Sequence, residues 1–120
     1  TLKKTVNFND VGIASGVAFD NALPMGAFIT AGIVEIVTAF NAVTTNVLTV
    51  GTNYTTFNNL VASTDVDETV IATTQVLRGI GPTIAASADI TPFAKYTQTG
   101  TVATAGQAII VILYEGGWST

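Results

Sequence analysis

The side chains best suited to chemistry form one short acidic run. Asp65, Asp67 and Glu68 lie within four residues, and alternating carboxylates on a loop can ligate calcium through their oxygen atoms. The run lacks the further ligands and the central glycine of an EF-hand loop. We therefore favour a turn in which the aspartates accept hydrogen bonds from backbone N–H groups, with a calcium site as the alternative.

The groups that most catalytic sites require are missing from the sequence. The chain contains neither histidine nor cysteine, so it lacks the usual general base and the thiol nucleophile. The serines have no histidine partner and no Gly-x-Ser-x-Gly elbow. Eight carboxylates could include a glycosidase pair, but their spacing singles out no pair. We predict a protein that is not an enzyme and that uses no cofactor and no metal ion.

Two short motifs match functional signatures without their context. Residues 53–55 (Asn-Tyr-Thr) fit a glycosylation sequon, a triplet that arises often by chance in a chain rich in asparagine and threonine. Residues 79–82 (Gly-Ile-Gly-Pro) place proline where a phosphate loop needs a backbone donor. The second motif predicts a turn.

The charge and the pattern of apolar residues argue against two classes of partner, nucleic acids and membranes. The formal net charge is −4, and the chain has only four basic side chains, so no basic stripe is available to neutralise nucleic-acid phosphates. The longest early apolar run, residues 22–37, is interrupted by Pro24, Thr30 and Glu35 and is too short to cross a bilayer. We predict no nucleic-acid partner and no membrane partner.

The composition indicates more apolar surface than one small core needs. Hydrophobic residues make up 48% of the chain and charged residues 10%, against about 25% charged residues in typical soluble domains. The mean hydropathy is +0.53. Such a chain either fills its core generously or covers apolar surface against partners.

The elements that position these residues have strand character. Turn signals separate short β-branched runs, and helical periodicity is not sustained anywhere. We predict an all-β fold, a single-domain β-sandwich of jelly-roll type with about eight antiparallel strands. Its predicted parts are an N-terminal arm or edge strand (1–20), a β-sandwich domain (21–115) and a C-terminal tail (116–120). Strands are expected within residues 1–8 and at 28–40, 47–51, 69–77, 93–97 and 108–114, while residues 84–90 fit either a helical turn or an edge strand.

Two predicted strands have no polar face. Residues 108–114 are apolar throughout and residues 28–40 nearly so, which indicates either a bulge near Gly32 or cover on both faces. A lone sandwich covers only the inner face of each strand. We therefore expect another subunit or the N-terminal arm to cover the rest, with these interface candidates: Ile109, Val111, Leu113, Phe28, Phe40 and Trp118.

Three aromatic residues lie in predicted loops or the tail: Tyr54, Phe57 and Trp118. Exposed aromatic rings can stack on sugars or anchor a protein interface. They can equally fold back over the ends of the sandwich.

Several segments resemble a family of small virion proteins of tailed bacteriophages. The resemblance covers about residues 26–115, consists mainly of turn and strand signatures, and is carried by these segments: 38–41 (Thr-Ala-Phe-Asn), 48–52 (Leu-Thr-Val-Gly-Thr), 60–62 (Leu-Val-Ala), 65–67 (Asp-Val-Asp), 89–90 (Asp-Ile), 100–101 (Gly-Thr) and 103–108 (Ala-Thr-Ala-Gly-Gln-Ala). Proteins of this kind resemble capsid decoration (cement) proteins or head-fibre modules.

The resemblance implies a structural role at the surface of the capsid. It implies a jelly-roll sandwich, often a trimer, that binds the major capsid protein shell at junctions between capsomers, with the N-terminal arm as a contact element. The alternative is a receptor- or carbohydrate-binding module of a tail or fibre. In that case Tyr54, Phe57 and the acidic run would form a shallow sugar site.

Overall fold

All regular elements in the described part of the chain are β-strands. The computed structural model describes residues 1–78, 80, 85 and 87–116. The strands are β1 (Leu2–Asn7), β2 (Val17–Ala18), β3 (Ala27–Thr38), β4 (Thr45–Gly51), β5 (Thr73–Val76), β6 (Phe93–Thr99) and β7 (Gln107–Gly116). The prediction of an all-β fold is confirmed, with seven strands among the described residues rather than about eight.

The strands form two antiparallel sheets around one core. The order in the four-stranded sheet is β1-β7-β3-β5, and in the three-stranded sheet it is β2-β6-β4. Side chains of both sheets belong to a single buried cluster, which includes Val34 and Ile110 from the first sheet and Leu48 and Tyr96 from the second. The side chains that point away from this cluster form the outer surface of each sheet.

Strand β3 is irregular, and the irregularity explains why its sequence shows no polar face. Its pairing with β7 shifts register between Ile29 and Ala31, and again between Ile36 and Thr38. Ile29 is buried before the first shift, whereas Val34 and Ile36 are buried after it. The bulge predicted near Gly32 is therefore confirmed, because the buried positions change from odd to even numbers across it.

Strand β7 alternates strictly between the core and the outside. Ala108, Ile110 and Ile112 are buried in the core. The alternate residues Ile109, Val111 and Leu113 are only half-buried. The sequence of β7 is thus apolar on both faces, although only one face meets the core.

Strand β1 forms an edge of the four-stranded sheet. Residues 2–7 pair with β7 along their whole length, from Leu2 opposite Ile112 onward, so this part of the predicted arm is an edge strand. Lys4 lies on the inward-facing side of β1, and its Nζ is 3.7 Å from a carboxylate oxygen of Asp20. An inward-pointing charge on an edge strand opposes pairing with further strands.

Several predicted boundaries move when the strands are placed. The strand predicted at 69–77 is shorter, at Thr73–Val76, while the strand predicted at 47–51 begins earlier, at Thr45. Of the ambiguous stretch 84–90, Ile90 forms an isolated bridge with Leu23, whereas residues 84 and 86 lie outside the described residues. Most of the predicted turn at 79–82 also lies outside them. The described residues contain no helix capable of spanning a membrane.

Candidate interaction surfaces

Asp65 of the acidic run is held by the protein itself. Its carboxylate accepts hydrogen bonds from the Ala62 N–H at 2.8 Å and from Arg78 through Nε at 2.8 Å and Nη2 at 3.0 Å. The hydrogen bond from Arg78 lowers the pKa of Asp65 below its usual value. Both carboxylate oxygens therefore have partners in the fold.

Asp67 has a local capping role. One carboxylate oxygen accepts hydrogen bonds from the Thr69 N–H at 3.0 Å and the Thr69 hydroxyl at 2.6 Å. These bonds lower the pKa of Asp67. The prediction of aspartates that accept backbone N–H groups is confirmed for both residues. Within the described residues, no group of three or more acidic side chains is arranged to hold a metal ion.

Glu68 is buried, which the sequence does not predict. Its side chain is 4% exposed, and its carboxylate accepts a hydrogen bond from the Leu48 N–H at 2.9 Å. Leu48 lies on β4, an edge strand of the three-stranded sheet, so Glu68 satisfies a backbone donor that has no strand partner. Burial raises the pKa of Glu68. Burial, and secondarily the nearby Glu68 charge, raises the pKa of Tyr96.

We expect Glu68→Gln to stabilise the protein at pH 7 and to have little effect at pH 4. Because the folded pKa of Glu68 lies above its ordinary value of 4.5, the folded state binds this proton more tightly than the unfolded chain does. The contribution of Glu68 to stability is therefore complete below pH 4.5 and is lost as the pH rises through the folded pKa. Glutamine cannot titrate and keeps an oxygen that can accept from Leu48.

Urea denaturation of both proteins at pH 4 and pH 7 checks this prediction. Asp65 and Asp67 are common to both proteins, so their own pH dependence cancels in the difference. The control is Glu68→Ala, which leaves the Leu48 N–H unsatisfied and should be about 1–3 kcal/mol less stable than Glu68→Gln at both pH values, since neither side chain titrates. An advantage of Glu68→Gln that grew as the pH fell would contradict the assignment.

The outer surface of the four-stranded sheet carries an apolar patch at its centre. We call this patch the outer apolar face; it consists of Phe28, Ile33, Ile109, Val111 and Leu113. Ile33 and Val111 are directly opposite each other on β3 and β7. Phe28 is 42% exposed, and the other four are half-buried. Four of the predicted interface candidates thus lie on one face.

Polar side chains border the outer apolar face on both edges of the sheet. On β1, Lys3 and Thr5 lie opposite Val111 and Ile109. On β5, Gln75 lies opposite Ile33. On β3, the exposed Glu35 lies opposite Ile109, so a carboxylate also borders the patch within the sheet. A largely apolar centre with polar surroundings is the usual composition of a protein interface.

One of the two remaining candidates, Phe40, is buried in the core. Phe40 is 1% exposed, and its ring packs against Tyr96 with the centroids 4.6 Å apart. A side-chain carbon at Gly106 would overlap the Phe40 ring, so this glycine permits the close packing. Phe40 therefore offers no surface to a partner and is a core residue. Trp118 lies outside the described residues.

A second surface lies on the outer side of the three-stranded sheet. It is a groove of about 470 Å³, which we call the aromatic groove; its lining includes Ser15, Gly16, Tyr54, Phe57, Phe93 and Lys95. The Phe57 and Phe93 rings stack at 4.9 Å, and Tyr54 meets Phe57 edge to face at 5.9 Å. Phe57 folds back on the sheet and is 3% exposed, whereas Tyr54 is 82% exposed.

The acidic run does not contribute to the aromatic groove. Asp65 lines a separate groove of about 260 Å³ together with Arg78 and residues of β5. The two grooves have no lining residue in common. The acidic run therefore does not share a site with Tyr54 and Phe57, contrary to the sugar site predicted for the alternative function.

Sequence reasoning missed four of the named residues of the aromatic groove: Ser15, Gly16, Phe93 and Lys95. The alternation of β6 contained a signal for two of them, because Phe93 and Lys95 lie on the face opposite to the buried Ala94 and Tyr96. Gly16 carried no such signal. Its approach to Phe57, which is distant in sequence, appears only in the fold.

Comparison with known proteins identifies a shared fold. No family model matches this chain, and a search of curated proteins finds no match. A solved structure, described as the capsid asymmetric unit of cyanophage Pam1, contains a similar chain with a TM-score of 0.67 and 18% sequence identity. The similarity covers 94% of this chain and 81% of that chain. At this identity the likeness shows that the two chains have the same fold.

Proposed function

We propose that this chain is a structural virion protein of a tailed bacteriophage, a capsid decoration (cement) protein that binds and stabilises the assembled shell. The observation that carries the proposal is the fold shared with a chain of a cyanophage capsid over nearly the whole sequence. The resemblance of the turn and strand segments to small virion proteins supports the same role. We propose that the protein is not an enzyme and acts through binding alone.

The outer apolar face is the proposed attachment surface. Complete burial of a valine, leucine or phenylalanine side chain contributes about 1.5–3 kcal/mol. The half-buried residues of this face, among them Val111 and Leu113, retain part of that contribution for a partner. The major capsid protein and further copies of this chain are the partners that a decoration protein would meet there.

The proposed mechanism is linkage between binding and stability. A protein that binds the assembled shell, and not its dissociated subunits, stabilises the shell by mass action. Many symmetric copies add their individually weak contacts through avidity. No reacting group is needed, in agreement with the absence of histidine and cysteine from the sequence.

The finer features of this proposal come from the family resemblance. They are a jelly-roll topology, a location on the capsid surface and a homo-oligomer, with a trimer favoured. Three chains of 12.3 kDa would have a mass near 3 × 12.3 = 36.9 kDa. Sedimentation equilibrium distinguishes such a trimer from a monomer.

Mixing the purified chain with undecorated, expanded capsid shells tests the proposed function. We expect it to co-sediment with the shells at a fixed ratio to the major capsid protein, and to raise the temperature at which the shells dissociate. Soluble capsid protein that has not assembled should not bind. Folded protein that failed to bind shells at micromolar concentration would overturn the proposal.

A second candidate function is a receptor- or carbohydrate-binding module of a tail or fibre. The exposed Tyr54 ring beside the aromatic groove favours it. A glycan array, run alongside the shell-binding assay, separates the two functions. Glycan binding without shell binding would favour the tail or fibre module.

A further inference from the structure

The aromatic groove presents one open aromatic ring on a rigid support. Tyr54 is 82% exposed and rests edge to face against Phe57, which stacks in turn on Phe93. Gly16 makes room for this arrangement, because a Cβ there would lie 2.7 Å from the Phe57 ring. The Phe57 ring therefore supports one side of the Tyr54 ring, and the exposed side can contact a ligand.

The 53–59 loop that carries Tyr54 is ordered by its own side chains. The Asn53 side-chain oxygen accepts from the Asn58 N–H at 2.8 Å, and the Asn59 side-chain oxygen accepts from the Thr52 N–H at 2.7 Å. The Asn53 carbonyl also accepts from the Phe57 N–H at 2.9 Å. These bonds reduce the freedom that Tyr54 would lose on binding a ligand.

The same loop contains strained backbone. Thr55 and Phe57 have φ angles of +74° and +44°, which residues other than glycine rarely adopt. Strain of this kind persists where the surroundings enforce it, and it is concentrated at ligand-binding and active sites. The loop holds Tyr54 beside the groove in a conformation that the backbone alone would not prefer.

The aromatic groove also has a positive charge in an acidic protein. Among the described residues that line the groove, Lys95 is the only charged one, whereas the whole chain has a net charge of −4. Its Nζ donates to the Thr55 carbonyl at 3.4 Å. No carboxylate of the described residues lies within ion-pair distance of this ammonium group. The groove is therefore locally complementary to an anion.

We propose that the aromatic groove binds a sugar ring that carries a carboxylate, such as a uronic acid residue of an acidic polysaccharide. A sugar ring has an apolar face of C–H groups and a polar rim of hydroxyl groups. Its apolar face packs on the Tyr54 ring. The sugar carboxylate accepts a charge-assisted hydrogen bond from Lys95. The exposed Ser15 hydroxyl lies on the same groove and can bond the sugar hydroxyls.

A carboxylated sugar fits this groove better than a phosphate or a neutral sugar does. Phosphate sites in proteins use several convergent donors or an arginine fork, and the lining residues that the structure describes supply one lysine and no arginine. A neutral sugar would give the Lys95 ammonium group no anionic partner. A groove of about 470 Å³ is also within the usual range of small-ligand sites.

The inference goes beyond shell attachment and does not depend on it. The aromatic groove and the outer apolar face lie on different sheets, so one molecule can use both surfaces. The inference also names the ligand class of the second candidate function. A failure of sugar binding with intact shell binding would therefore leave the decoration role standing.

Calorimetry with short oligouronates tests the inference. The probes are trimers of galacturonate, mannuronate and guluronate, each compared with its methyl ester, which has the same rings without the charge. We expect the wild-type protein to bind at least one acid about tenfold more tightly than its ester, because a charge-assisted hydrogen bond is worth that much.

Two variants assign the contacts, and a third is the control. Tyr54→Ala should weaken binding of acid and ester alike by about tenfold. Lys95→Gln should remove the preference for the acid and leave ester binding nearly unchanged. Lys3→Gln removes one charge from the other sheet and should keep wild-type binding.

Three outcomes would overturn the inference. They are no binding of any acid by the folded wild-type protein, an unchanged acid preference in Lys95→Gln, and a change in solution mass on Tyr54→Ala. The last result would identify the aromatic groove as a contact between copies of the chain. The circular dichroism spectrum of each variant should match that of the wild type, since all three side chains lie at the surface of the fold.

Discussion

Replacing Phe40 with alanine should lower the free energy of unfolding by about 3–5 kcal/mol. Phe40 is 1% exposed, and its ring packs against Tyr96 next to Gly106. Removing the ring leaves a cavity that the neighbouring strands cannot fill, because the sheets fix its walls. Urea denaturation of the variant and the wild type measures the difference.

Phe28→Ala is the matched control for this prediction. Phe28 is the second residue of β3, at the opposite end of the strand from Phe40, but its side chain lies on the outer apolar face and is 42% exposed. Its removal should cost less than about 1 kcal/mol in the isolated chain, because little core packing is lost. If Phe40→Ala does not fold, Phe40→Leu should show a smaller loss in the same direction. The reverse order of the Phe40 and Phe28 effects would contradict the placement of the two rings.

Replacing Val111 with glutamate should weaken attachment to capsid shells by a factor of about 10²–10³. Val111 lies at the centre of the outer apolar face, between Lys3 on β1 and Ile33 on β3. A partner that covers this face would bury the new carboxylate, and an uncompensated buried charge costs about 3–5 kcal/mol. The isolated variant should still fold, since Val111 is only half-buried. Co-sedimentation with undecorated shells over a range of concentrations measures the loss.

Thr97→Glu provides the comparison for Val111→Glu. Thr97 is exposed on the outer side of the three-stranded sheet, and the substitution adds the same charge to the same protein. We expect its shell binding to equal that of the wild type. Equal losses in both variants would indicate a general effect of net charge and would argue against the outer apolar face as the attachment surface.

The sequence predicts the strand content well because the strands carry their own signals. Successive side chains of a strand point to opposite faces of the sheet. Because β7 is apolar at every position from Ala108 to Leu113, one set of its apolar side chains is buried and the other faces outward. The failure of β3 to alternate is itself the signal of its bulge, which lies between Ile29 and Ala31. These features depend on residues that are neighbours in the chain.

The features that the sequence does not predict depend on contacts between distant residues. Phe40 looks like an exposed aromatic at a strand end until Gly106 and Tyr96 are placed around it. Glu68 belongs to an acidic turn by composition, yet it is buried because the edge strand β4 needs an acceptor for the Leu48 N–H. No local pattern encodes such partners.

The two candidate surfaces also differ in how far the sequence predicts them. Three of the five residues of the outer apolar face, Ile109, Val111 and Leu113, could be predicted from the sequence of β7 alone. The aromatic groove could not, because it forms where a turn at Gly16, the loop that carries Tyr54 and the strand that carries Lys95 meet. Exposure of Tyr54 and burial of Phe57, three residues apart, follow from packing against Phe93.

The central claim is that a neighbouring molecule covers the outer apolar face in the assembled particle. The sequence contains no cysteine, so a single thiol introduced by Val111→Cys or by Thr97→Cys can be labelled without background. Maleimide reaction rates would be measured in decorated particles and in the isolated chain. The isolated chain would be diluted to a concentration at which its solution mass is that of a monomer.

We predict that the thiol of Val111→Cys reacts at least about tenfold more slowly in particles than in the isolated chain, as expected for a side chain fully covered by an interface. The thiol of Thr97→Cys should react at similar rates in both. Equally fast reaction of the Val111→Cys thiol in particles and in the isolated chain would contradict the account.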